Sequence, residues 1–172
     1  FENVARGAGT SFQWNDDGTK AFTGLGGGFV QEFSVGNAYD TSSTFIYNGF
    51  FNTAFFGSND AGAGQKIRFL NNGKKIFVGS SSSFDKVHEF DIGTAFDLTS
   101  SITYIATDTT ETFNKALDFS NDETKLFSTN TDSNGNTLIV QKTLSTTGTI
   151  KDGFSNETTL NIESDITSVW SI

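Results

Sequence analysis

Hydrophobic and polar positions along this chain alternate in short stretches with a period of two, and nowhere with the 3.6-residue period of an amphipathic helix. Over Lys66–Leu70, Ile67 and Phe69 share one face. Asn71-Asn72-Gly73 follows as a turn, because Asn and Gly accept the positive φ that tight hairpins need. Lys75–Gly79 carries the continuous run Ile76-Phe77-Val78, which predicts a strand buried on both faces. Lys86–Ile92 alternates again, with Val87, Glu89 and Asp91 opposite His88, Phe90 and Ile92, and Ser101–Ala106 supplies a fourth strand. Turn signals at such short intervals, without a helical stripe, predict an all-β chain with helix content near zero.

The pattern repeats. Phe12-Gln13-Trp14 followed by Asp17-Gly18-Thr19-Lys20-Ala21-Phe22 returns as Ile67-Arg68-Phe69 with Gly73, Lys75 and Phe77. It returns again as Leu117-Asp118-Phe119 with Lys125 and Phe127, and is cut short at Val169-Trp170. Trp14, Phe69, Phe119 and Trp170 are spaced by 55, 50 and 51 residues. Downstream, Gln31-Glu32-Phe33 with Ala38-Tyr39-Asp40 parallels His88-Glu89-Phe90 with Ala95-Phe96-Asp97 at a constant offset of 57. Such a period belongs to arrays of four-stranded units of propeller-blade size. The expected fold is an all-β propeller-type array of four-stranded antiparallel blades. One repeat domain is divided at approximately 10–63, 64–113 and 114–163, with a partial unit at 164–172 and the tail of another in 1–9. Trp14, Phe69, Phe119, Trp170, Phe22, Phe77 and Phe127 are the expected core, being equivalent by repeat. Propellers close with four to eight blades. Three blades leave open edges, so the array is expected to belong to a larger ring or an assembly of copies, or to an open stack.

Charge narrows the partners. Eleven Lys and Arg against 20 Asp and Glu leave a net charge of −9, which argues against nucleic acid. No apolar run is long enough to span a bilayer. The chain has no Cys, which removes disulfides, thiolate metal sites and Cys nucleophiles together. It begins at Phe1 and contains no Met, so a processed product or part of a longer protein is expected.

Candidate chemistry is sparse. His88 is the sole histidine, and Glu89 beside it falls on the opposite strand face, so the pair does not form a catalytic dyad. Gly24–Gly28 lies between two strands and reads as a hairpin loop, not a dinucleotide loop. Asp16 and Asp17 in one turn, and Asp132 in another, offer oxygen ligands of the kind Ca²⁺ accepts, without the spacing of an EF-hand. Turn chemistry is the favoured reading of these residues, so no cofactor is expected, with bound Ca²⁺ as the alternative. Tyr47, Phe50, Phe51 and Phe55 form an aromatic-dense stretch, read as an outer strand with an exposed binding patch as the alternative. Asp40 and Asp97 are expected to close Asx turns on the residues that follow them, with Tyr39 and Phe96 plugging the gaps between blades.

The Asp-Gly-Thr-Lys-x-Phe segment, followed by Glu-Phe-x-x-Gly-x-Ala-aromatic-Asp, resembles the blades of β-propellers in the YVTN/lactonase-like group. It is also similar to repeats in bacterial surface proteins and bacteriophage structural proteins. The resemblance spans roughly residues 7–172 and departs from the motif at Glu123, where a turn Gly is expected. It implies a propeller fold and leaves function open. The leading expectation is a non-enzymatic module of a virion appendage, tail fibre or cell surface. Such a module would be extracellular and would act through protein or glycan contacts, with neighbouring repeats or other subunits as partners. One alternative is a metal-dependent lactonase-like hydrolase, and another an architectural subunit of a filament.

Overall fold

The computed structural model describes residues 9–53, 65–80, 86–108 and 116–162. It contains twelve strands in three four-stranded antiparallel sheets, with no α-helix among the described residues. Blade 1 is β1 (Gly9–Trp14), β2 (Lys20–Leu25), β3 (Phe29–Val35) and β4 (Phe45–Asn52). Blade 2 is β5 (Gln65–Leu70), β6 (Lys75–Ser80), β7 (Val87–Ile92) and β8 (Ile102–Asp108). Blade 3 is β9 (Leu117–Phe119), β10 (Lys125–Thr131), β11 (Thr137–Thr146) and β12 (Thr149–Ile162). Each sheet is a meander in chain order, the propeller-like arrangement that the repeat predicts, and the three do not close.

The core lies between blades, not within them. The middle strands of blade 2 carry apolar side chains on both faces, because blade 1 covers one face and blade 3 the other. Phe22 of blade 1 packs on Phe69 of blade 2 with ring centroids 4.4 Å apart, and Phe77 of blade 2 on Phe119 of blade 3 at 4.6 Å. Phe96 plugs the first junction against both Phe22 and Phe69.

Buried carboxylates lock the junctions. Glu32, 1% exposed, takes a 2.7 Å ion pair from Lys20 and accepts the Leu98 backbone N–H of blade 2 at 2.7 Å. Its repeat equivalent Glu89, fully buried, pairs with Lys75 and accepts the Ile150 N–H of blade 3 at 2.8 Å. A carboxylate in these surroundings is tolerable because a cation and a backbone donor both face it. Alternation alone does not reveal this burial, since it depends on the neighbouring blade that covers the polar position.

Two expected core aromatics depart from the pattern. Trp14 and Phe127 are only half-buried, because each lies on an outward face of the array with no described blade over it. Trp170 lies outside the described residues.

Candidate functional site

The first strands of the three blades converge. β5 packs against β1 and β9, and between them opens a cleft of about 640 Å³. This volume suits a small organic ligand. The repeat brings three equivalent residues there: Gln13, Arg68 and Asp118, each immediately before the shared aromatic of its strand. Because side chains alternate along a strand, Phe69 and Phe119 enter the blade junctions while Arg68 and Asp118 before them are left for the cleft.

Two cations and one carboxylate give the cleft its polarity. Arg68 Nε lies 3.0 Å from Asp118 Oδ1, an ion pair held by charge, since the N–H is poorly aligned for a hydrogen bond. Asp118 Oδ1 also accepts the Phe119 N–H at 2.8 Å, which fixes the carboxylate at the rim. Lys66 Nζ donates to the Thr10 carbonyl at 2.7 Å, and burial pushes its ammonium below the ordinary lysine pKa. Gln13 Oε1 accepts the Phe69 N–H at 3.1 Å, tying β1 to β5 beside the cleft. Apolar walls come from Phe12, Ile67, Leu117 and Ile139.

None of the residues singled out from sequence lies in this cleft except Phe127, expected there as core. Asp17 Oδ1 accepts the Thr19 N–H at 2.9 Å and its hydroxyl at 2.6 Å, and these bonds hold its carboxyl below the usual range. Asp132 does the same for Asn134 and Asn136. The Asp16 carbonyl accepts the Tyr39 hydroxyl. Asp17 and Asp132 thus bond their own turns. Among the described residues no group of three or more His, Asp or Glu could hold a metal ion. Asp40 and Asp97 close Asx turns on Ser42 and Thr99, at 2.8 and 2.9 Å. His88 is buried, with Nδ1 2.7 Å from Thr107 Oγ1.

The aromatic stretch divides by face. Tyr47 and Phe50 are exposed, whereas Phe51 is 5% exposed with its ring 4.8 Å from that of Phe90. Phe51 is therefore a junction residue and not part of a binding patch, because strand alternation turns it toward blade 2. Phe55 lies outside the described residues. Sequence reading missed Lys66, Arg68 and Asp118. The available signal was a position that stays polar in all three repeats while its identity changes from Gln to Arg to Asp.

No protein-family model matches the sequence, and no curated protein does. Solved structures match the fold. A candidate 6-phosphogluconolactonase from Bacteroides uniformis matches with a TM-score of 0.62 at 13% identity, over 88% of this chain and 40% of that one. The periplasmic gluconolactonase of Pseudomonas aeruginosa matches at 0.60 and 14%, over 88% and 39%. A candidate 6-phosphogluconolactonase from Bacteroides fragilis matches at 0.58 and 15%, over 89% and 39%. The chain shares the lactonase-like propeller fold and spans about two-fifths of the length of these neighbours. At such identities the likeness is one of fold. It nevertheless corrects the leading expectation. These neighbours are named as lactonases, not as virion, tail-fibre or adhesion proteins, so the comparisons do not support the expected non-enzymatic virion or surface module.

Proposed function

We propose that this chain is a three-blade segment of a lactonase-like propeller hydrolase whose cleft opens the ring ester of an anionic sugar lactone. One observation carries the reading: Lys66, Arg68 and Asp118 meet at a single opening where three first strands converge. The names of the structural neighbours support a sugar lactone as the substrate class, and the periplasmic one is in keeping with an envelope or extracellular location. In the reaction, water adds to the lactone carbonyl carbon, the ring C–O bond breaks, and the proton lost by water ends on the departing ring oxygen. Asp118, held by Arg68, takes that proton from water and returns it to the leaving oxygen. Arg68 and Lys66 stabilise the negative charge that develops on the carbonyl oxygen, and hold an anionic substituent of the sugar.

The donors in this cleft do not fit a divalent cation. Its one carboxylate is already paired with Arg68, and Lys66 adds a second positive charge where a cation would sit. The proposed steps therefore use side chains alone.

The test is ring opening of gluconolactone and its 6-phosphate, followed by acid release in a pH-stat. We expect turnover above the spontaneous rate, and Arg68→Gln to lower kcat/KM by about 100-fold with the β spectrum intact. Hydrolysis of both lactones at the spontaneous rate, by this chain and by any longer polypeptide containing it, removes the reading.

A further inference from the structure

The first strand of each blade is an edge strand beside the cleft, so half of its backbone groups find no ladder partner on that side. Two of these groups are satisfied by the repeated polar position, in different ways. The Phe69 N–H is taken at 3.1 Å by Gln13 Oε1, reaching across from blade 1. The Phe119 N–H, its repeat equivalent, is taken at 2.8 Å by Asp118 of its own strand. The ladder of β5 is regular, so alternation turns the Ile67 N–H and C=O, two residues back, to the same edge as Phe69. Ile67 and Gln13 both line the cleft.

A backbone N–H can bond only to the oxygen of a carboxamide, so the Phe69 contact fixes which way the Gln13 amide faces. Its Nε2 carries two N–H donors, and these have no hydrogen-bond partner among the described residues. The backbone bond does not require them. A carboxylate serves as well, as Asp118 does in blade 3. What Gln13 adds is a neutral donor pair in a half-buried position, in the same cleft as Lys66 and Arg68. The two cations suit an anion, and Arg68 is already engaged by Asp118. The Gln13 donors, with the Ile67 carbonyl at the same edge, offer an uncharged donor and acceptor together. A hydroxyl group needs both.

We propose that Gln13 is a specificity-determining residue of the cleft, whose NH₂ group binds a hydroxyl oxygen of a polyhydroxylated, sugar-like ring. This role rests on the lactone reading of the cleft. It gives the neutral hydroxyls of the substrate a partner distinct from Lys66 and Arg68, which hold the anionic substituent. A ring without hydroxyls leaves the donors of Gln13 unanswered and is bound more weakly.

Two neutral lactams that resist ring opening, D-gluconolactam and δ-valerolactam, test this without turnover. Both are saturated ring amides, and only the first carries hydroxyls. In a titration of the isotope-labelled chain followed by NMR, D-gluconolactam is expected to shift the Gln13 side-chain NH₂ resonances, and δ-valerolactam to leave them in place. Gln13→Glu keeps an oxygen for the Phe69 N–H and replaces the donors with an acceptor. It should hold its urea midpoint, bind D-gluconolactam about 10-fold more weakly, and bind δ-valerolactam as the wild type does. Because both ligands are neutral, the added carboxylate repels neither. If Gln13→Glu does not fold, the wild-type NH₂ resonances decide alone. Gln13 resonances that stay still at saturating D-gluconolactam overturn the role. So do a wild type that binds neither lactam and a folded Gln13→Glu that keeps its affinity for D-gluconolactam or loses both lactams equally. Lactone turnover with unmoved Gln13 resonances removes this role and spares the hydrolase, whereas shifted resonances without turnover do the opposite.

Discussion

Tyr39 and Phe96 sit at equivalent positions with positive φ, 59° and 53°, and each covers the glycine of the preceding hairpin, Gly18 and Gly73. Gly73 has φ +78°, and a Cβ there would overlap the Phe96 ring. Blade 3 inverts the arrangement. Glu123 occupies the glycine position with φ 55°, and Gly148, with φ 69°, occupies the aromatic one. The backbone bond is kept, since Gly148 N donates to the Glu123 carbonyl at 2.9 Å as Phe96 N does to Gly73 at 3.0 Å. The departure at Glu123 is thus the partner of the missing aromatic: without a ring above it, the turn residue can carry a side chain. That side chain is used, as Glu123 Oε1 accepts the Asn71 N–H of blade 2 at 2.7 Å. Gly73→Ala should therefore cost about 1–3 kcal/mol through strain and overlap with the ring. In Phe96→Gly the overlap is gone, and the same Gly73→Ala change should cost less. A double-mutant cycle by urea denaturation measures the difference, and additive effects would mean that the ring and the turn are uncoupled.

At the scale of the element, the strands of blade 2 read from alternation fall within a residue or two of those in the structure: Lys66–Leu70 against Gln65–Leu70, and Lys86–Ile92 against Val87–Ile92. Hairpins were legible because turn chemistry is local. Burial was not, because it depends on which sheet covers which face. Glu89 sits on a strand that alternation divides into two faces, yet it is fully buried, as are Val87 and Phe90. The cleft was illegible for the same reason, since Gln13, Arg68 and Asp118 come together only when three separate blades pack. Burial alone would lower the pKa of Lys75, but the hydrogen bond and charge of Glu89 outweigh it and hold the ammonium above its ordinary range. A raised lysine pKa means that the pair stabilises the fold fully below about pH 10.5, with the contribution lost as pH rises through the folded value. Glu89→Gln should therefore cost about 3 kcal/mol at neutral pH, since it removes the buried negative partner of Lys75 and leaves only the half-exposed Asp91 at 3.4 Å. That penalty should shrink at alkaline pH above the lysine titration. Urea midpoints for both proteins across that range check the trend, and a penalty independent of pH would assign the loss to the backbone latch on Ile150 instead.

For the whole molecule, the two internal junctions answer one packing problem in opposite ways. Phe51 on Phe90 fills the first with apolar surface, while Asp108 with Lys142 fills the second with a buried ion pair, both partners under 5% exposed by side chain. The Phe154 ring lies 4.6 Å from Lys142 Nζ and adds a cation–π contact. Buried ion pairs recover in Coulomb energy little more than desolvation takes, so the second junction gains its specificity at no great advantage in stability. It does forbid slippage: blade 3 cannot dock on Phe51, nor blade 2 on Asp108, without isolating a charge or losing a ring contact. Removing one partner should therefore be far worse than removing both. Asp108→Leu alone leaves the Lys142 ammonium buried against an apolar neighbour and should destabilise the chain by about 3–5 kcal/mol. Asp108→Leu combined with Lys142→Leu recreates the apolar character of the first junction and should recover most of that loss. Equilibrium urea unfolding of the two single variants and the double variant reads the coupling directly. A double variant no more stable than the worse single one would show that the pair contributes net stability, and that the two junctions are not interchangeable solutions.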